Sequence, residues 1–549
     1  MTETNTVEPD NEENIADDQV TDKETKQKLP RALQRLQDYN KPPENQEDIF
    51  FGTSTNSKRF DKAKEEEFQK WKDMKVFDEV EDTGQTRIST RWVCTERMKG
   101  GKLNLKARLV ARGFEEDTSQ LRSDSPTCSK ESLRLLLMIL ASNKWNLNSM
   151  DVKGAFLQGP PISREIYLTP PTGLQNGKLW KLNKTPYGLV DAGRKWYIKI
   201  VEEFTKLGAS CPITDKALFN WKDQNNNLIG ILISHVDDFL FGGNIHFNKE
   251  IVPTIRSTFS IGLEETGSMK YLGLQIDQNT EHISLGIKEY KRELEEIDTT
   301  NFGSDKTRTL EPKEITLLRS KIGQINWITN QSRPDMAFDS CIASNSTKNP
   351  TINDILLINK IIRKMGGQNI VLKYPNKLQI KKSHIVAFCD ASHANLPDRG
   401  SQGAYLIFII DEIGHYCLIS WQSKRIKRVV NSSLAAECLS AVETAEECML
   451  IKTTMKHLLG IQMSIHILSD NKSLVDATHT TNQMENKRLQ IDISILREMM
   501  ENQEIHQFRW IDTKHQLANA LTKNGASPEY LLRVLRQQLK FDFNSGVFA

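Results

Sequence analysis

Several apolar segments with the composition of β-strands run directly into aspartates, and this pattern most limits how the chain can fold. The acids concerned are Asp151, the Asp237-Asp238 pair, Asp390 and Asp470. A carboxylate at the end of a buried strand lies at an edge of the sheet, where acids from distant parts of the sequence can meet. Hard cations such as Mg²⁺ need carboxylate oxygens, and two such ions can bracket a reacting phosphate. The pattern therefore indicates phosphoryl-transfer chemistry.

The length of 549 residues predicts three to four domains at about 150 residues each. An apolar content of 38% with 7% aromatic residues is typical of a globular chain. Because Lys plus Arg (73) nearly balances Asp plus Glu (71), any nucleic acid must be held by local basic clusters. The eight cysteines include no Cys-x-x-Cys pair, so neither a zinc site nor a disulfide framework is indicated.

The N-terminal region differs from the rest of the chain. Residues 1–55 are acidic and poor in large apolar side chains, which predicts a disordered tail. The N-terminus has no apolar signal region, and no apolar run approaches the roughly 18 residues of a membrane span. We therefore expect an intracellular protein with no membrane partner.

The rest of the chain shows two patterns of predicted elements. Up to residue 245, the predicted elements are a short helix entering a strand (60–80), a hairpin around Gly100-Gly101 (87–97 and 103–113), a helix (130–142) and strands (145–152 and 228–236). After a helical stretch (315–374), strands (385–389, 404–410, 416–421, 465–468, 505–511) alternate with helices (432–459, 489–500, and from about 516). The second pattern indicates a separate α/β unit.

Two groups of acids are candidate sites when the residues are read alone. Asp151 and the Asp237-Asp238 pair converge only if their strands are neighbours, and most Asp-Asp pairs are solvated loop charges. Glu437 lies within an apolar part of the predicted helix, where a charge is costly without a partner. With Asp390 and Asp470 it could form a second pocket for divalent ions, although a single helical glutamate is normally solvated.

Blocks of sequence occur in order along the first part of the chain. They are Lys-Ala-Arg-Leu-Val-Ala-Arg-Gly-Phe (106–114), Asp-Val-Lys-Gly-Ala-Phe-Leu-Gln-Gly (151–159), Tyr-Gly-Leu (187–189), Arg-Lys-Trp-Tyr (194–197), His-Val-Asp-Asp (235–238), Tyr-Leu-Gly-Leu (271–274) and Ser-Arg-Pro-Asp (332–335). Together they resemble the polymerase segment of copia-type LTR retrotransposons. The resemblance covers roughly residues 60–525.

This resemblance implies a right-hand polymerase with fingers, palm and thumb. Asp151 and Asp237 would be the catalytic ligands of two Mg²⁺ ions, with Mn²⁺ as the alternative, and Asp238 would support them. The implied nucleotide-binding residues are Lys106, Arg108, Arg112, Phe156 and Gly188. Strand alternation puts the first two bases on one face, where a solvated basic face is the alternative interpretation. For the phenylalanine, implied to exclude a 2′-hydroxyl, the alternative is an ordinary core aromatic.

A second set of blocks resembles the ribonuclease H domain of the same family. It comprises Cys-Asp-Ala-Ser (389–392), Ile-Ser-Trp-Gln-Ser-Lys (419–424), Ser-Ser-Leu-Ala-Ala-Glu (432–437), Ser-Asp-Asn-Lys-Ser (469–473) and Ala-Asn-Ala-Leu-Thr-Lys (518–523). The resemblance implies that Asp390, Glu437 and Asp470 are catalytic metal ligands. Asn519 stands where the family usually has a fourth aspartate, so we expect weaker binding of one metal and slower cleavage.

Three other positions depart from the family pattern. His235 stands where a tyrosine is commonest, and Val190-Asp191 with Gly193 replaces a more usual Lys-Gln and Pro in the template-facing segment. None of these changes removes an expected metal ligand. They bear on template grip and rate rather than on the class of reaction.

The resemblance predicts an α/β and α+β multidomain fold. The expected divisions are an acidic tail (1–55), fingers and palm (56–245), primer grip and thumb (246–310), a helical connection (311–380), a ribonuclease H-like α/β domain (381–530) and a C-terminal tail (531–549). The expected function is that of an RNA-directed DNA polymerase, a nucleotidyltransferase, with a weakened ribonuclease H endonuclease. The alternative is a catalytically degenerate or co-opted remnant that binds nucleic acid or acts as a scaffold.

The same resemblance implies partners and a location. The partners are an RNA template, a DNA primer and product, the RNA/DNA hybrid and deoxynucleoside triphosphates, with element-encoded capsid and integrase as further partners. The expected location is the cytoplasm, within virus-like particles, with later access to the nucleus for DNA integration and transposition.

Overall fold

The computed structural model describes residues 58–99, 102–287, 294–300, 302–481 and 483–549. The predicted acidic tail (1–55) and the Gly100-Gly101 turn lie outside these residues. The described residues belong to one compact unit.

The strands of the described residues are numbered in chain order. They are β1 (Phe77–Glu81), β2 (Arg87–Ile88), β3 (Thr90–Lys99), β4 (Lys102–Ala111), β5 (Asn148–Val152), β6 (Tyr167–Leu168), β7 (Lys178–Leu182), β8 (Leu218–Lys222), β9 (Leu228–His235), β10 (Asp238–Gly243), β11 (Ile261–Thr266), β12 (Ser268–Tyr271), β13 (Leu274–Gln278), β14 (His282–Gly286), β15 (Leu372–Pro375), β16 (Ser383–Ser392), β17 (Ser401–Asp411), β18 (Tyr416–Ile426), β19 (Ile465–Ser469), β20 (Gln507–Trp510), β21 (Phe541–Asp542) and β22 (Val547–Phe548).

The α-helices of the described residues are numbered in the same way. They are α1 (Asp61–Asp73), α2 (Lys130–Ser142), α3 (Ala192–Lys206), α4 (Val252–Thr258), α5 (Pro312–Ser332), α6 (Ala337–Asn345), α7 (Ile352–Gly367), α8 (Ser433–Leu459), α9 (Lys472–His479), α10 (Lys487–Glu501) and α11 (Glu529–Leu535). Within these residues, no helix combines the length and apolar content that a membrane crossing requires.

The N-terminal part contains a basic two-stranded ribbon and a central antiparallel sheet. In the ribbon β3 pairs with β4, whose alternate residues Ala107 and Leu109 are buried while Lys106 and Arg108 are exposed. The two bases therefore share one face, as the alternation predicts. The central sheet has the order β11-β5-β10-β9-β8, with β5 and β10 as neighbours. Two strands far apart in the sequence thus lie side by side.

A four-stranded sheet of order β12-β13-β14-β15 follows the central sheet. Its last strand comes from residues 372–375 and pairs with β14, so the pairing crosses the expected boundary between thumb and connection at residues 310 and 311. The apolar faces of Ile283, Leu285 and Leu372 are buried in the same core. This shared core explains why the two segments fold together.

The C-terminal α/β unit has the sheet order β18-β17-β16-β19-β20, with β16, β19 and β20 running parallel. Helix α8 packs across β16 and β17. It begins at an N-cap, where the Ser432 side chain accepts a hydrogen bond from the Ala435 amide, and it ends at Gly460 with φ of 70°. Glycine is favoured at such a helix end because the left-handed conformation strains other residues.

The prediction of a continuous helix from residue 516 and of a C-terminal tail over 531–549 was wrong. The chain instead makes two 3₁₀ turns, Thr513–His515 and Leu517–Leu521, and then α11 and the β21–β22 hairpin. The physical reason is apolar burial, because Leu531, Leu535 and Phe548 are at most 4% exposed within the C-terminal core.

Helix α2 connects the central sheet to the C-terminal unit through a buried arginine. The Arg134 guanidinium donates hydrogen bonds to the Ile419 carbonyl (2.9 Å) and to the Asn330 carbonyl (2.6 Å). Its central carbon lies 3.6 Å from the ring centroid of Trp421. Only 1% of the arginine is exposed, so one side chain joins α2, α5 and β18.

Candidate active sites

The first site forms where β5 and β10 pair. Asp238 lies directly opposite Asp151 in this antiparallel pair, and the Val152 amide donates a hydrogen bond to the Asp237 carbonyl at 2.8 Å. All three acids are partly exposed. The structure therefore brings together the carboxylates that the strand-end pattern selected.

The turn that carries Asp237 is strained and held in place. Val236 has φ of 58°, a conformation that is rare for a β-branched residue. The Trp196 indole nitrogen donates a 2.7 Å hydrogen bond to the Val236 carbonyl, and the tryptophan is 1% exposed. Sequence reasoning missed this role, although Trp196 lies in one of the blocks that carry the resemblance. Such strain recurs at functional sites because the surrounding structure fixes it.

The acids of this site differ in proton affinity. Burial raises the pKa of Asp237, and the negative charge of Asp151 raises it further, whereas Arg108 and Lys106 oppose the shift. Burial, followed by the charges of Asp237 and Asp151, raises the pKa of Asp238 to about 7. Without a bound cation, Asp238 is therefore partly protonated near neutral pH.

An aromatic surface lies between the acids and the basic ribbon. The Phe156 and Tyr187 rings meet edge to face with centroids 4.9 Å apart. The Arg108 guanidinium lies 5.6 Å from the Tyr187 centroid. Phe156 is half-buried and Tyr187, which sequence reasoning did not single out, links it to the ribbon. Phe156 thus contacts Tyr187 beside Arg108 and also packs against two apolar clusters, so its role in excluding a 2′-hydroxyl stays a prediction.

The two remaining candidates for nucleotide contact have evident structural roles. Arg112 forms an ion pair with Glu115, with 3.8 Å between Nη1 and Oε1. Gly188 has φ of 98°, and a Cβ there would collide with the Ala111 carbonyl oxygen. Glycine at this position allows β4 to cross the 187–189 segment closely. A nucleotide-binding role for either residue stays a prediction.

A further glycine gives the Asp151 carboxylate room. A Cβ built on Gly262 would lie 2.7 Å from Asp151 Oδ2, closer than ordinary contacts permit. Gly262 is on β11, whose pairing with β5 shifts register between Ile261 and Glu264. A single sequence carries no signal for this clearance, because it depends on the register of two distant strands.

Asp191, which departs from the family pattern, pairs with an arginine. Asp191 is buried, and it accepts hydrogen bonds from Arg164 at 2.7 Å and 2.9 Å. Arg164 also binds Glu116 through a second pair of hydrogen bonds. The aspartate therefore anchors a network of charged side chains beside the 187–189 segment. Its effect on template grip stays a prediction.

The second site is more compact. Asp390, Glu437 and Asp470 each offer an oxygen within 4.8 Å of the others. Within the part of the chain that the structure describes, no other group of three His, Cys, Asp or Glu residues reaches this spacing. Asp390 is fully buried, and Glu437 is 7% exposed. Asp390 is on β16, Glu437 is on α8, and Asp470 directly follows β19, as the sequence pattern predicts.

The chemistry of these three residues fits a hard divalent cation. Asp390 Oδ1 and Glu437 Oε2 are buried without a hydrogen-bond partner. Burial raises the pKa of Asp390 to about 6 and of Glu437 to about 10, with neighbouring carboxylates adding to the Glu437 shift. An unpartnered buried carboxylate is costly, and a divalent ion relieves that cost by coordinating the oxygens.

Asn519 and its neighbours form one wall of the second site. The Thr522 hydroxyl donates a hydrogen bond to Asp390 Oδ2, and Lys523 Nζ lies 3.7 Å from the same oxygen. Lys523 also donates to Asn519 Oδ1, while the amide nitrogen of Asn519 donates to the Thr513 carbonyl at 3.1 Å. Sequence reasoning noted the missing carboxylate at position 519 but did not foresee the lysine.

Comparisons with known proteins agree with this geometry. Residues 74–311 match a family described as "Reverse transcriptase (RNA-dependent DNA polymerase)". A solved foamy viral protease-reverse transcriptase, in complex with double-stranded DNA, has a similar fold, with a TM-score of 0.51 and 14% identity over 83% of this chain and 70% of that one. The fold is that of a right-hand polymerase joined to a ribonuclease H-like domain, as predicted. Residues 74–311 are therefore similar to the reverse transcriptases.

Two curated proteins are similar to most of this chain. The Pol polyprotein of transposon RE2 from Arabidopsis thaliana is 28% identical over 80% of this chain and 31% of its own length. That of transposon TNT 1-94 from Nicotiana tabacum is 26% identical over 84% of this chain and 36% of its own length. This chain is similar to copia-type retrotransposon Pol polyproteins, as the sequence blocks indicated. It spans about a third of the length of these relatives.

Proposed function

We propose that this chain is an RNA-directed DNA polymerase that extends a DNA primer with deoxynucleoside triphosphates on an RNA template. The observation that carries the proposal is the position of Asp151 on β5 and of Asp237 in the turn that enters the paired strand β10, where the charges of Lys106 and Arg108 act on Asp237. Reverse transcriptase relatives support it. The relatives are much longer, so the activities of the whole element belong to this proposal as well.

Each residue of the site has a distinct task under this proposal. Bound Mg²⁺, or Mn²⁺ as the alternative, would activate the primer 3′-hydroxyl and neutralise charge on the triphosphate. Asp151 and Asp237 would hold it, and Asp238 would support them. Lys106 and Arg108 would bind phosphate oxygens, since both project from one exposed face. Phe156 would pack under the sugar and exclude a 2′-hydroxyl.

Primer extension on an RNA template tests the polymerase proposal. Asp237→Asn removes one charged ligand, and the loss of several kcal/mol of charge stabilisation predicts an extension rate lower by about a thousandfold. The matched control is Asp223→Asn, which changes an exposed aspartate in a turn of the same sheet. No extension by the unaltered chain in Mg²⁺ or Mn²⁺ would contradict the proposal and favour the remnant.

We also propose that the C-terminal unit cleaves the RNA strand of RNA/DNA hybrids. The compact Asp390, Glu437 and Asp470 cluster with unpartnered buried oxygens supports this activity. The three carboxylates would hold the cation that activates the attacking water. Cleavage of a hybrid with labelled RNA should fall by about a hundredfold or more in Glu437→Gln. Glu446→Gln, an exposed change on the same helix, should leave it unaltered.

The partners and location follow from the same proposal. The nucleic acids would be the template, the primer with its product, and their hybrid. Capsid and integrase of the same element would be further partners, and virus-like particles in the cytoplasm, with later access to the nucleus, would be the location. The presence of all five expected carboxylates in two clusters argues against the remnant without chemistry.

A further inference from the structure

The Lys523 side chain occupies one side of the second carboxylate cluster. Its Nζ lies 3.7 Å from Asp390 Oδ2 and donates a hydrogen bond to Asn519 Oδ1. The lysine is on the turn after the 3₁₀ segment Leu517–Leu521, and Gln516 fastens this segment to the sheet by donating to the Cys389 carbonyl at 2.9 Å. A side-chain cation is therefore part of the wall of the site.

The two oxygens of Asp390 have different surroundings. Oδ2 is bound by the Thr522 hydroxyl and faces the Lys523 ammonium. Oδ1 is buried and has no hydrogen-bond partner, and the same is true of Glu437 Oε2. The protein thus satisfies one side of the aspartate by itself and leaves the other side, with Glu437 and Asp470, for an ion.

Charge balance limits how many divalent ions this arrangement can hold. The cluster offers three carboxylates, and the Asn519 side chain, whose oxygen accepts a hydrogen bond from Lys523, adds no charge. One divalent ion and the lysine ammonium together match three negative charges. Before a phosphate binds, a second divalent ion would leave an excess of positive charge, which is costly in a largely buried site. Asp390 Oδ2, the oxygen on the lysine side, is already bound by the Thr522 hydroxyl.

We propose that the ribonuclease site works with one divalent cation and that the Lys523 ammonium fills the position of a second cation. The inference rests on the proposed ribonuclease activity and specifies its metal content. It assigns Lys523 a role in offsetting charge on the bound phosphate and Asn519 a role in orienting the lysine. Replacement of the second metal ion by the lysine ammonium requires both Lys523 and Asn519.

Anomalous scattering from Mn²⁺ counts the ions in the site directly. Crystals of the full chain with an RNA/DNA hybrid, soaked in Mn²⁺, should show one peak among Asp390, Glu437 and Asp470. The double variant Asn519→Asp with Lys523→Met, which adds a carboxylate and removes the ammonium, should show two. Two peaks in the unaltered chain, with the lysine displaced, would overturn the inference but leave the ribonuclease proposal standing. No peak there in the unaltered chain would overturn both.

A solution measurement supplies an independent readout. Lys523→Met should lower hybrid cleavage on the order of a hundredfold, by loss of a fixed positive charge, without changing primer extension. Lys514→Met is the matched control, because Lys514 is exposed and lies 3.8 Å from Asp512 at the surface. Cleavage by Lys523→Met equal to that by Lys514→Met would overturn the inference, provided that circular dichroism shows both variants folded.

Discussion

The two carboxylate clusters use the same residue types in different surroundings. The first, with Asp151 and Asp237, is partly exposed, and its charges face a separate basic ribbon. In the second, Asp390 and Glu437 are buried, and oxygens of the three acids converge within 4.8 Å. Under the proposed function, the first site would leave space for a primer end and a triphosphate to complete the coordination, whereas the second would be largely assembled before substrate arrives.

The positive charges of the two sites differ in the same way. Lys106 and Arg108 project from β4, on a ribbon distinct from the sheet that carries the acids. Lys523 belongs to the wall of its own site and contacts Asp390. A polymerase must bind and release a triphosphate at every step, so cations on a separate element suit it. A hydrolytic site needs no such exchange of a highly charged substrate group.

The largest expected effect tests whether the two sites belong to one folded unit. Arg134→Met leaves the carbonyls of Ile419 and Asn330 without their donor and removes the cation from Trp421. We expect a loss of about 3–5 kcal/mol in the free energy of unfolding. Primer extension and hybrid cleavage should decline together during denaturation in urea.

Arg122→Met is the control for this change, since Arg122 is exposed and pairs with a nearby surface aspartate. The shared unit would be refuted if Arg134→Met produced two well-separated transitions, with extension intact after cleavage had been lost.

A substitution beside the first site should have a smaller effect, confined to primer extension. In Gly262→Ala the new methyl group lies 2.7 Å from Asp151 Oδ2 and must displace the carboxylate. Displacement of a reacting group by about 1 Å can cost on the order of a hundredfold in rate. Primer extension should fall to that extent with hybrid cleavage unchanged. Gly366→Ala is the control, because a methyl group there meets open space. Equal primer extension by the two variants would show that Asp151 does not need the space that Gly262 leaves.

The smallest effect concerns the buried acid of the second site in metal-free buffer. Burial raises the pKa of Glu437 to about 10 from an ordinary value of 4.5. The folded chain therefore keeps a proton that the unfolded chain loses, and stability falls as pH rises from 4.5 towards 10. Glu437→Gln has no such proton, so its stability relative to the unaltered chain should increase as pH rises through this range.

Thermal melts between pH 5 and pH 9 measure this difference. Glu446→Gln should follow the unaltered chain at every pH, because Glu446 is exposed. A constant difference between Glu437→Gln and the unaltered chain across this range would show that Glu437 does not titrate as its burial requires.

Much of the fold could be predicted from local patterns. The helix over 130–142 is encoded by apolar periodicity and a serine cap, and the structure has it at Lys130–Ser142. The long helix near 432–459 is encoded by a serine cap and a run without proline or glycine, and the structure has it at Ser433–Leu459. The strand-end acids could be found because a charge that ends an apolar run is unusual. Which strands become neighbours followed from the family resemblance rather than from the residues alone.

The parts that sequence reasoning missed depend on contacts between distant segments. Trp196 fixes the turn at Val236 across the fold, and Gly262 serves Asp151 only because β11 pairs with β5 in a shifted register. Lys523 reaches Asp390 because the chain after β20 forms 3₁₀ turns instead of a helix. None of these relations has a local period, so no pattern in one sequence could indicate them.

The central claim is that one chain carries two separate carboxylate pockets for divalent cations. Hydroxyl-radical mapping with bound Fe²⁺ in place of Mg²⁺ tests it most directly, since the backbone is cut next to each bound ion. The account predicts cuts near Asp151 and Asp237 and near Asp390, Glu437 and Asp470, with Asp237→Asn erasing only the first set and Glu437→Gln only the second. Cuts at neither pocket, or the loss of both sets through one substitution, would contradict it.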